Sequence, residues 1–78
     1  MNWQDRIIVD PAILVGKPVI KGTRLSVDFL LRLLAQVWTE MQLFDNYPQL
    51  KPQDLQAVFA FVQECLADED FVYLEKIS

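Results

Sequence analysis

Apolar residues fall into short runs at the start of the chain and helical stripes after it. Arg6-Ile7-Ile8-Val9 is β-branched and stops at Asp10-Pro11, which predicts a strand over 6–9. Gly16-Lys17-Pro18 and Lys21-Gly22-Thr23 then bracket Val19-Ile20 with two tight bends. Leu25-Ser26-Val27 reads as a second strand, pairing with 6–9 to make a small β element across 6–27. From Ser26 the period changes. Phe29, Leu30, Leu33, Leu34 and Val37 recur at helical spacing, with Ser26 as N-cap and Asp28 in the first turn, predicting a helix over 28–38. Thr39-Glu40-Met41-Gln42 fits a capping box, and Trp38 and Leu43 stand where a hydrophobic staple belongs. This predicts a second helix over 40–46, stopped by Tyr47-Pro48.

The third helix opens at Pro52 and is predicted over 52–67. Leu55, Val58, Phe59, Val62 and Leu66 form one stripe, but Ala57, Ala60 and Phe61 make the other faces apolar too. A helix apolar nearly all round is buried on more than one side. In so short a chain the second side belongs to another copy, so a homodimer is expected, with Phe59, Phe61 and Val62 between core and interface. Residues 68–78 read as a C-terminal tail in which Phe71, Val72, Tyr73 and Leu74 favour β structure and would either add to a sheet edge of a partner or of the second subunit or pack back on the third helix. The whole is a single mainly α domain over 1–67: three helices, the middle one short, behind a small N-terminal β element. That order suggests a helix-turn-helix.

Size and composition sharpen this picture. Hydrophobic residues make up 53% of only 78, more apolar surface than so small an interior readily hides, which again favours a partner. No apolar run approaches the length of a membrane span, so no membrane role is expected. The opening MNWQDR lacks the apolar core of a secretion signal, and Cys65 is the single cysteine, so a reducing cytoplasm is the expected setting. Cys65 itself reads as a small buried hydrophobe. Histidine is absent, which removes the commonest general base and metal ligand. No catalytic residues, cofactor or metal site are expected, and the chain does not read as an enzyme. Charge is uneven: residues 1–27 carry +2, whereas 28–67 and 68–78 carry −3 each, for a net −4.

The segment Gly16-Lys17-Pro18-Val19-Ile20-Lys21-Gly22-Thr23-Arg24-Leu25-Ser26-Val27 resembles the signature of a prokaryotic family catalogued as domain of unknown function 433. Leu34-Ala35, Glu40, Leu43, Tyr47-Pro48, Leu50, Asp54-Leu55 and Ala57 match the rest of its pattern in order, so the resemblance spans about 6–66. It implies a homeodomain-like helix-turn-helix bundle behind a β element. It also implies an antitoxin of a toxin–antitoxin pair, with a nuclease-like toxin as partner. Two positions depart from the family. Val37 stands where glycine is usual, so the first helix is expected to run on to Trp38, and Lys51 replaces the usual Ser or Thr cap before Pro52.

The candidate DNA contacts are Arg6, Lys17, Lys21 and Arg24, the basic residues of the N-terminal third, with Gln53 and Gln56 at the start of the third helix. For Arg24 a salt bridge to a carboxylate such as Asp28 or Asp45 is the stronger reading. Asp54 would face phosphates unfavourably, so DNA binding is expected to be weak. The functional expectation is an antitoxin-type module that neutralises a toxin and contacts operator DNA as a dimer. Its rival is a protein-interaction adaptor without nucleic-acid binding, favoured by the acidity of 28–78.

Overall fold

The computed structural model describes the backbone of residues 2–77 and the side chains of residues 2–67. It is mainly helical, with three helices and a two-stranded antiparallel sheet near the N-terminus. Strands β1 (Ile7–Ile8) and β2 (Val19–Ile20) pair with Ile7 opposite Ile20 and Ile8 opposite Val19. β2 is the middle of the β element. On its other side the Ile20 N–H donates to the Leu25 carbonyl and the Val27 N–H to that of Pro18.

This corrects the expectation that 25–27 would pair with 6–9. Ser26 is already engaged as the helix cap and Val27 is the first helical residue, leaving a single bridge between Val19 and Ser26. The buried pair Val19-Ile20 takes the central position instead.

Helix α1 (Val27–Ala35) opens with the Ser26 hydroxyl accepting the Phe29 N–H. Helix α2 (Glu40–Asn46) carries the complete capping box of Thr39 and Gln42 and has the predicted bounds. Helix α3 (Pro52–Ile77) begins where Pro52 places it. It does not stop near 67; the backbone of 68–77, read as a tail with β character, continues the same helix. The side chains of Phe71, Val72, Tyr73 and Leu74 lie outside the described residues. Ile20 of β2, Leu30 of α1, Leu43 of α2 and Leu55, Ala57 and Val58 of α3 meet in one core, closed by Ile7.

The end of α1 is a second correction. The helix stops at Ala35, Gln36 is its cap, and Val37 has φ +69°. The Val37 N–H donates to Leu34 at 3.0 Å and the Trp38 N–H to Leu33 at 3.1 Å. These are the two bonds of a Schellman motif, with valine in the left-handed position that favours glycine. The motif turns the chain so that Trp38 packs on the core and Leu43 is fully buried. A helix continued through Trp38 would forgo that burial.

Leu14 and Val15 share the left-handed region with Gly16, and the three make one tight turn closed by Gly16 N–H to Ile13 and Lys17 N–H to Leu14.

Candidate functional site

The site is built along α3, whose two ends differ in chemistry. At the N-terminal end Lys51 stands at the N-cap, and its N–H donates to the Asp54 carboxylate at 2.9 Å. The other carboxylate oxygen of Asp54 receives an Arg6 guanidinium N–H at 2.9 Å. Asp54 is only 4% exposed. It therefore faces neither solvent nor phosphate, contrary to expectation. Arg6 neutralises this buried carboxylate, joins β1 to α3, and is committed to a structural role rather than to a phosphate. The remaining surface of this end includes the exposed Lys51, Pro52, Gln53 and Gln56.

The other basic candidates are dispersed. Lys17 lies 3.9 Å from the Asp28 carboxylate, which also accepts an Arg32 N–H at 2.9 Å. Arg24 is exposed and makes no ion pair among the described residues. The expected bridge from Arg24 to Asp28 or Asp45 is thus replaced by Lys17 and Arg32 on Asp28. Lys21 is also exposed. Its N–H donates to the Arg6 carbonyl, so the Lys21–Arg24 turn sits within one arginine side chain of the first turn of α3.

Farther along, α3 leaves the core. Trp3 stacks edge-to-face on Phe61, with centroids 4.8 Å apart, and its indole N–H donates to Glu64. Phe61 and Val62 are the last α3 side chains packed against the core, and 63–67 are all exposed. Phe59 is 48% and Leu66 60% exposed. Cys65 is exposed too, not buried as its type suggested, because the core ends one turn before it. Between α1 and α3 lies an open groove of about 260 Å³, lined by Leu31, Phe61, Val62, Cys65 and Leu66 among others, with Asp28 at its rim. Among the described residues no helix is long and apolar enough to cross a membrane.

A family described as "Protein of unknown function (DUF433)" matches residues 7–62. The chain belongs to this family. A protein of Archaeoglobus fulgidus, described as an uncharacterized protein, is 55% identical over 29 residues, which cover 37% of this chain and 81% of that one. No solved structure matches the chain. Among the described residues, the DUF433 stretch contains every buried core residue, from Ile7 to Val58, and it stops at Val62, the last described α3 side chain packed against the core. The exposed stretch 63–67 of α3 is outside it. The DUF433 unit thus supplies a folded base, from which this chain extends a helix.

Sequence reasoning missed three features of this site. The Arg6–Asp54 pair joins residues 48 apart; its one local sign was an acid at the third helical position, where it reaches back to the cap N–H. The Trp3–Glu64 bond joins residues 61 apart and left no local sign. The groove depends on how α1 crosses α3, and Leu31, which lines it from α1, stands outside the stripe of Phe29, Leu30, Leu33, Leu34 and Val37.

Proposed function

We propose that the chain is an antitoxin-type binding module: a homodimer that neutralises a nuclease-like toxin in the cytoplasm and contacts operator DNA weakly. It acts by binding rather than by catalysis. The observation that carries this reading is the extension of α3 past the core, with 63–67 exposed and the helix continuing to Ile77. A helical stretch whose side chains are all exposed, as at 63–67, is marginal in water on its own, so a partner is the physical reason to keep one. Residues 68–78 carry a charge of −3, which suits the basic cleft of a nuclease by electrostatic steering. The resemblance to antitoxins carried by the Gly16–Val27 segment points the same way.

A DNA contribution is supported by the Lys21–Arg24 turn lying beside the first turn of α3, where Lys51, Gln53 and Gln56 are exposed. The acidity of the helices limits it to weak, salt-sensitive binding. The rival reading, an adaptor for another protein, uses the same α3 surface without a toxin.

The test is co-expression with the product of the adjoining gene. The full chain should relieve growth arrest by a small nuclease-like neighbour and co-purify with it. Neutralising Asp68, Glu69 and Asp70 to amides should weaken both effects. Absence of capture and rescue by the full chain would reject the antitoxin reading and leave the adaptor.

A further inference from the structure

The apolar strip of α3, exposed Phe59 and Leu66 with half-buried Val62 between them, runs into the α1–α3 groove, since Val62 and Leu66 line both it and the shallow cleft beside Phe59. The chain exposes 5714 Å², whereas a compact monomer of its mass exposes about 4,900 Å². The excess of about 800 Å² goes with the extension of α3 past the core, and about that much surface from each partner makes a stable interface of ordinary size.

We propose that a second copy covers this strip, with the two α3 helices antiparallel and crossing at Leu66, so that Cys65 of each copy lies beside the two-fold axis. This deepens the homodimer reading above and rests on it.

Charge selects the direction. Asp68, Glu69 and Asp70 follow Leu66 on the same helix. A parallel pair would set residues 69 and 70, which lie within about 60° of Leu66 around the helix, level with their own copies, like charge beside like charge. An antiparallel pair crossing at 66 sets residues 69 and 70 level with Gln63 and Val62 instead. It also brings the acidic turn to the groove rim, where Lys17 and Arg32 share the single carboxylate of Asp28. Two cations on one anion leave a net positive rim to receive it. Glu64, level with residue 68 of the other copy, is no obstacle. It lies about 200° around the helix from Leu66 and accepts the Trp3 indole N–H. Residue 73 of the other copy comes level with Phe59.

The crossing makes the single cysteine diagnostic. Helix axes in contact lie about 8–10 Å apart, and Cys65 is one residue from the crossing, so the two thiols are within reach of a short bis-maleimide. Treatment of the full-length protein should convert most of it to a covalent dimer, and Cys65→Ser should abolish the product. In the Cys65→Ser background, Gln56→Cys should give none, because antiparallel crossing separates those positions by about 30 Å along the axis; a strong product there would establish the parallel pair and overturn the proposal. Leu66→Glu should give a monomer in sedimentation equilibrium with the helical circular dichroism retained, since Leu66 lies outside the monomer core. A dimer by sedimentation that does not cross-link through Cys65 would refute the crossing and leave the homodimer standing. A monomer at tens of micromolar would refute both.

Discussion

Replacing Val37 by glycine should stabilise the protein. Val37 occupies φ +69° and is 84% exposed, so its side chain contributes little burial in return for the backbone it adopts. A left-handed residue with a Cβ costs about 1–2 kcal/mol, and β-branching places valine at the unfavourable end. Glycine removes that cost but loses about 0.4–1 kcal/mol through the greater freedom of the unfolded chain. The net gain is about 0.5–1.5 kcal/mol, and each kcal/mol is worth about 4–8 °C in melting temperature for a domain of this size. Both Schellman hydrogen bonds use backbone atoms, Val37 N–H to Leu34 and Trp38 N–H to Leu33, and survive the change. The assay is thermal unfolding followed by circular dichroism at fixed protein concentration, with Val37→Ala beside it. Alanine keeps the Cβ and should recover only part of the gain. A fall in melting temperature for Val37→Gly would refute the reasoning. It would mean that α1 continues as helix through residue 37, where glycine costs about 1 kcal/mol relative to alanine.

Lys51→Ser should also stabilise, by about 1 kcal/mol. It gives the α3 cap an oxygen for a first-turn N–H such as that of Gln53, while the Asp54 half of the capping box stays in place; a urea midpoint that does not rise would argue against this cap geometry. Arg6→Met should destabilise by about 1.5–3 kcal/mol, because the buried Asp54 carboxylate loses a charged hydrogen bond; chemical denaturation reads it, and an unchanged midpoint would show that Asp54 does not depend on Arg6. For DNA, Lys21→Ala combined with Arg24→Ala should lower the slope of log K against log salt by about 2, near the expectation for two lost phosphate contacts. An unaltered slope would remove the turn from the interface.

The amino-acid sequence by itself determined what depends on neighbours in the chain. Thr39 and Gln42 complete a capping box from atoms three residues apart, Ser26 caps α1 in the same way, and Pro52 opens α3 because its missing N–H is no loss at a helix start. Each is a local equilibrium, so local reading located it. Tertiary structure decided what required comparing distant alternatives. Valine resists a left-handed cap, yet Val37 takes one because the turn lets Trp38 and Leu43 reach the core. Val19-Ile20 displaced 25–27 as the partner of β1 because Ser26 and Val27 were needed by α1. Asp54 read as a charge facing phosphates until Arg6, 48 residues away, gave it a reason to be buried. The end of the core at Val62, and with it the exposure of Cys65 and Leu66, follows from how α1, α2 and the β element cover one stretch of α3 and no more. An apolar stripe says that a helix needs covering; only the packed fold decides how far this chain covers it and how much is left to another surface.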